Sequence, residues 1–323
     1  MKCRFVVENH GLSGITDLMQ QKVDLGNAVL KGVSRSFYLT IRLLPRLMRE
    51  PVSVGYLLAR ASDTIADTEA VPAELRKECL SIFHEALNDE DIRERLCSLL
   101  EEKFIDHQEN QREKLLLTRI ADVFGWYDTV TEQDWIAISN VMEPILQGQL
   151  WDVDFFAIQK KKQIESAEDL ENYCYQVAGS VGVFWGVVGR NANHRYSEYD
   201  EEQLEENGIK YGKGLQLVNI LRDLPADLEN SRCYLPGVDP KDTKAVMKAS
   251  RKWRGKARRY LEQGLNYSSA LRQKRTKIAT ALPAIIGLKT LDLLDEATWE
   301  QWKKGIKIPR KEIYKSLLQA AFH

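Results

Sequence analysis

The sequence predicts an all-α chain. Apolar residues recur at helical spacing along most of its length, alternation of valine and isoleucine is rare, and capping residues stand where the periodic stretches begin. No internal repeat or low-complexity segment interrupts the pattern.

The elements follow in order. A first helix is read over Ile15 to Leu30, and Ser34-Arg35-Ser36-Phe37 opens a mixed stretch ending near Pro45. Pro51 marks a helix start, because its missing N–H costs nothing in a first turn. From Val52 to about Thr68 the apolar stripe is Val54, Leu57, Leu58, Ala61 and Ile65. Pro72 starts the next helix and Asn88-Asp89 ends it. Residues 88–113 are charged and poor in aromatics, as in surface helices with a loop around Asp106 to Gln111. Leu115 to Trp126 is again apolar and helical. Thr131-Glu132-Gln133-Asp134 resembles a capping box and starts a long helix to about Phe155, kinked at Pro144.

Ser166-Ala167-Glu168-Asp169 caps a second long helix, which carries Gly179, Gly182, Gly186 and Gly189 at spacings of three and four. Such a stripe admits either another backbone or a flat apolar ligand. Glu201 to Arg222 forms a further helix, and Pro225 predicts a bend or stop between Asp223 and Asp227. A polar loop spans Glu229 to Gly237. Lys241 to Tyr267, Thr276 to Leu294 and Arg310 to Ala321 complete the set, the last after a basic run read as solvated surface.

Composition narrows the function classes. With 323 residues and 44% hydrophobic content the chain buries a substantial core, and the helical pattern favours one domain over residues 1–323. A net charge of -1 gives no argument for nucleic acid or an anionic surface. Five scattered cysteines without a CxxC fit a reduced, cytoplasmic setting. Glu8, Asn9 and His10 break any apolar leader, and the apolar runs Val177–Gly189 and Ile278–Leu288 are too short to span a bilayer. The five histidines form no pair at ligand spacing, and no glycine-rich strand–turn–helix suggests a dinucleotide fold.

Two stretches carry chemistry. Arg60 to Asp67 and Gln216 to Asp227 each hold two aspartates four apart, Asp63/Asp67 and Asp223/Asp227, with an arginine on the N-terminal side. Residues four apart share a helix face. A lone pair of this kind is commonly a solvated acidic face, since exposed repulsion costs only about 0.2–0.5 kcal/mol. Two pairs in similar apolar context suggest facing ligand sets for Mg²⁺, an ion held by one or two carboxylates plus substrate phosphates. Arg35, Arg60, Arg222 and Arg232 are candidates for bidentate phosphate recognition. Facing pairs would form an acidic mouth on an apolar cavity, where Tyr173 or Tyr175 could present a hydroxyl to a carbocation, though an amphipathic surface position explains either tyrosine equally.

Taken together, four blocks resemble the squalene/phytoene synthases, which join two isoprenyl diphosphates head to head. They are Ser34 to Phe37, Arg60 to Asp67, Tyr173 to Gly182 (YCYQVAGSVG) and Gln216 to Pro236. The resemblance implies the isoprenoid synthase fold with one central cavity. It implies that Asp63 and Asp67 form the first metal motif, with Asn219, Asp223 and Asp227 in the second. Ser34, Arg35, Ser36, Arg60, Gln216, Arg222, Arg232 and Tyr234 match diphosphate-region positions, and Val177, Ala178, Val181 and Gly182 the cavity wall. Catalytic roles are implied for Tyr173, Arg60, Asp63 and Asp223. The first motif lacks an acid after Asp63, as in the squalene branch, and Leu224-Pro225-Ala226 departs from the phytoene pattern. No hydrophobic C-terminal anchor like that of eukaryotic squalene synthases is seen, which implies a bacterial-type enzyme, soluble or peripheral at a membrane. The implied reaction condenses two farnesyl diphosphates to squalene with Mg²⁺ and NADPH. Phytoene or dehydrosqualene without reductant is the alternative, and a non-catalytic prenyl-lipid-binding or assembly protein a third reading. Without a DDxxD run, head-to-tail transferases and cyclases are disfavoured. Oligomeric state is left open.

Overall fold

A computed structural model describes residues 19–34 and 37–322. No strand occurs among them, only two isolated bridges, Gln163 to Cys233 and Ser197 to Leu271. Eight helices build or flank the centre: α1 (Arg46–Asp67), α2 (Glu132–Asp152), α3 (Ala167–Cys174), α4 (Ser180–Ala192), α5 (Glu201–Glu229), α6 (Thr243–Ala270), α7 (Lys274–Glu296) and α8 (Arg310–Phe322). Helix α1 packs on α2, α2 on α4, α4 on α5, α5 on α6, and α6 on α7. The charged region 88–113 forms Glu90–Lys103, the short turn Ile105–His107 and the start of Gln111–Thr118.

Caps set the helix starts. Ser166 Oγ accepts from the Asp169 N–H while the Asp169 carboxylate accepts from the Ser166 N–H, a complete capping box. Thr131 Oγ1 accepts from the Asp134 N–H and starts α2. Between α3 and α4 the chain stays helical through a π segment, Tyr175–Gly179, and α2 runs directly into another, Val153–Ile158. Such widened turns are frequent at functional sites.

Two proline expectations need correction. Helix α1 begins at Arg46, and Pro51 lies inside it; the carbonyl it leaves unbonded belongs to the first turn, where Leu47 is 68% exposed. Pro144 lies inside α2, as the sequence reading placed it. Pro225 neither bends α5 to a stop nor ends it, and the helix continues to Glu229. Buried Leu221, Leu224 and Pro225 hold this segment in the core. The Trp302 indole N–H, from a short helix Trp299–Lys303 that sequence reading missed, donates to the Arg222 carbonyl at 3.0 Å beside the disrupted turn.

At Gly182 the glycine stripe is a close helix–helix contact, whereas Gly186 and Gly189 face the Tyr267 and Tyr196 side chains. A Cβ on Gly182 would overlap the Gly208 carbonyl of α5, and a Cβ on Gly212 would overlap the Ala178 carbonyl. The same residues line the central cavity, so the stripe sets both the packing and the wall. Gly182→Ala should therefore lower unfolding free energy by about 1–3 kcal/mol through overpacking of two backbones. Urea unfolding checks this; a midpoint unchanged from the parent would show that the helices can part freely.

Candidate active site

One cavity of about 430 Å³ lies between α1, α2, α4, α5 and α7. Its wall is apolar and aromatic, with Val177, Ala178, Val181, Phe184, Trp185 and Tyr267 among its residues. Its polar end carries Arg60, Asp63, Asp67, Gln149, Asp152, Tyr173, Gln216 and Asn219. The first acidic stretch and the start of the second thus face one space. The remaining acids of the second stretch, Asp223 and Asp227, are not among the residues that line it. Arg222 grips Asp223 through two bonds, Nε at 2.8 Å and Nη2 at 2.5 Å.

Arg232 joins the two stretches. From the loop after α5 it donates to Glu69, two residues beyond Asp67, at 2.7 Å. Its other terminal nitrogen lies 3.8 Å from Asp152. Asp152 ends α2, and the buried Tyr234 hydroxyl donates to it at 2.5 Å. Tyr234 stacks on Tyr173 at 5.3 Å, so the two phenols and Asp152 form one buried array. Trp151 and Phe156 pack against Tyr173 and Tyr234 respectively and exclude water from it.

Desolvation pushes the carboxyls of Asp63, Asp67 and Asp152 up from the ordinary aspartate range. Asp63 and Asp152 raise Asp67 further, while Arg232 and Arg60 oppose the shift. Burial and then Asp223 raise Asp227 to about 7, with Asp152 adding and Arg232 opposing. One aspartate of each pair, Asp67 and Asp227, therefore feels Asp152 and Arg232, which places these two around one charge centre. Arg60 is itself desolvated, yet Asp63 and Glu113 hold it in the charged form; it donates to both. Burial likewise raises Tyr173 well above the usual phenol, and Asp152 and Asp67 reinforce this.

The other expected residues divide plainly. Tyr173, Val177, Ala178, Gly182, Gln216 and Asn219 line the cavity with Arg60, Asp63 and Asp67. Ser34 does not: it is buried, and its hydroxyl donates to the Leu30 carbonyl at 2.5 Å within its own helix. Arg35 and Ser36 lie outside the described residues. Tyr175, the second candidate phenol, is 37% exposed and does not line the cavity. Sequence reading missed Asp152 and Glu113. The signal for Asp152 was an acid set among Trp151, Val153, Phe155 and Phe156, where an unpaired charge is costly. Glu113 had no signal, because its role depends on a partner 53 residues away.

No described group of three or more His, Cys, Asp or Glu side chains forms a ready metal cage. Hard carboxylate oxygens around one polar end nonetheless suit Mg²⁺, which takes few protein ligands and completes its shell with water and phosphate.

The fold is that of the isoprenoid synthases. A solved structure described as TcSQS in complex with the ligand BPH1237 matches with a TM-score of 0.75 at 23% identity, over 95% of this chain and 86% of that one. Residues 30–312 match the family model of squalene/phytoene synthase, and the chain belongs to that family. A squalene synthase of Schizosaccharomyces pombe is 27% identical over 208 residues, 64% of this chain and 43% of that protein. A lycopaoctaene synthase of Botryococcus braunii is 26% identical over 282 residues, 82% of this chain and 59% of that protein. The chain thus spans about half the length of these two relatives.

The raised carboxyls make a pH prediction. Their folded pKa values exceed the unfolded ones, so the folded state binds more protons and stability falls as pH rises from 3.8 through about 7, the range over which Asp227 titrates. In EDTA the melting temperature should drop between about pH 4 and about pH 7, and Asp227→Asn should flatten that drop. Thermal melts decide it: a parent and variant with parallel pH curves would remove Asp227 from the charge centre.

Proposed function

We propose that this chain is a Mg²⁺-dependent enzyme that joins two farnesyl diphosphates head to head, through presqualene diphosphate, and forms squalene with hydride from NADPH. One observation carries the reading: a single apolar cavity whose polar end gathers Asp63, Asp67 and Asn219 from two distant acidic stretches. Family membership supports the reaction class, and the named activities of the two relatives support the diphosphate substrate. The described chain then works as one domain around that cavity.

Under this reading Asp63, Asp67, Asn219, Asp223 and Asp227 hold Mg²⁺, which when bound screens the diphosphate and makes it a better leaving group. Arg60, Arg222 and Arg232 grip phosphate oxygens, since a guanidinium offers paired donors to them. Gln216 and Tyr234 border the same polar end. The wall from Val177 to Gly182 holds the hydrocarbon and keeps water from the cation. Ionisation of one substrate and attack by the double bond of the other form the new carbon–carbon bond. Loss of a proton closes the cyclopropane, with pyrophosphate released. A second ionisation releases the second pyrophosphate, and hydride quenches the rearranged cation. The Tyr173 hydroxyl, kept protonated by its surroundings, is placed to orient the cation and its departing proton. The all-helical structure has no dinucleotide-type sheet among the described residues, so the nicotinamide would meet the cavity from between helices.

A cytoplasmic setting is part of the proposal, supported by the free thiols of Cys79, Cys97, Cys174 and Cys233. No described helix is long and apolar enough to cross a membrane, and the amphiphilic substrate favours peripheral contact with one.

Labelled farnesyl diphosphate with Mg²⁺ should give presqualene diphosphate alone, and squalene once NADPH is added. Absence of pyrophosphate release under both conditions would end the proposal, and dehydrosqualene formed regardless of NADPH would replace its final step. In the same assay Asp67→Asn should lower kcat by about 10²–10³-fold, the scale for removing a charge-stabilising group. Turnover near the parent rate would take Asp67 out of the metal set.

A further inference from the structure

A second pocket, of about 290 Å³, lies against the first. Arg232 links the two: it lines this pocket and lies 3.8 Å from Asp152, which lines the central cavity. Five cationic residues, Arg76, Arg232, Lys160, Lys161 and Lys162, surround it with one acid, Glu69. Glu69 is already engaged by Arg232, and Lys161 pairs with Glu165. Lys160 and Lys162 make no ion pair among the described residues.

Arg76 is the informative member. It is 4% exposed, and Nη1 donates to the Ala66 carbonyl at 2.5 Å. Its Nε has no hydrogen-bond partner, and the guanidinium has no salt bridge among the described residues. Burial and the neighbouring Arg232 disfavour its charge, and Glu69, Asp67 and Asp152 offset that only in part, so a further anion at this place would be favourable. The lysine loop is also held in place. The Cys233 N–H donates to the Lys162 carbonyl and the Ile164 N–H to the Cys233 carbonyl, both at 2.9 Å, which ties this loop to the one carrying Arg232.

We propose that this pocket binds a phosphate-class polyanion, pyrophosphate first of all, just outside the acidic mouth. Its occupant rests on the function proposed above, because that reaction frees two pyrophosphates whose retention among carboxylates depends on Mg²⁺. A neighbouring cationic pocket would take the anion without the metal and draw it past Arg232. The phosphate of a nicotinamide dinucleotide offers the same chemistry and is the other source.

Calorimetric titration of the full chain with inorganic pyrophosphate in EDTA tests this. The parent should bind, and Lys160→Gln with Lys162→Gln should weaken binding roughly tenfold or more, the loss of at least one charge-assisted contact. Circular dichroism should show unchanged helicity, since both lysines lie in a loop. No Mg²⁺-free binding by the parent, or equal binding by the double variant, overturns the proposal. Parallel titrations with NADPH and NADH separate the sources: a lysine-dependent preference for NADPH over both NADH and pyrophosphate assigns the pocket to the nucleotide phosphate. Pyrophosphate binding that persists while the farnesyl diphosphate assay fails would retire the reaction and keep the pocket. Turnover without such binding would retire the pocket alone.

Discussion

Like charges crowded into a poorly solvated space govern this molecule. Asp63, Asp67, Asp152 and Asp227 all sit where desolvation and mutual repulsion favour the proton over the charge. Arg60 and Arg232 offset part of that repulsion, and Arg232 also ties the end of α1 to the loop after α5. A fold does not gain stability by gathering carboxylates in this way. The crowding costs stability in the unliganded fold, and it is the feature that the proposed binding of a divalent cation would relieve.

The apolar half of the cavity has a different origin. Helices α4 and α5 approach so closely at Gly182, Gly208 and Gly212 that backbone meets backbone. That contact fixes where Val177, Val181 and Phe184 stand, and so fixes the wall along which a hydrocarbon could lie. The π segment at Tyr175–Gly179 keeps the chain helical while shifting its register between Tyr173 and the wall residues. Polar and apolar halves therefore meet on one continuous helical run, from Ser166 to Ala192.

Much of this was legible in the sequence because it is local. Helical periodicity, the caps at Thr131 and Ser166, and the four-residue spacing of Asp63 and Asp67 are properties of short segments. The prolines misled for the opposite reason. A proline disfavours continuation locally, but at Pro225 buried leucines and the distant Trp302 overrode that preference. Glu113 and Arg76 were invisible for the same cause, since each acquires its role from residues far along the chain, whereas Asp152 left only the local signal of an acid among aromatics. An acidic face and a metal-binding face cannot be told apart from one stretch alone; what the structure adds is that Asn219 lines the same cavity as Asp63 and Asp67.

The most direct measurement is a crystal structure with Mn²⁺ and a non-hydrolysable farnesyl thiodiphosphate, with the metal located by anomalous scattering. Metal peaks at about 2.1–2.2 Å from carboxylate oxygens of both stretches, bridged by one diphosphate, are the expected result. A diphosphate bound without metal, or metal confined to one stretch while the other faces away, would contradict the joint grip on which the whole reading stands.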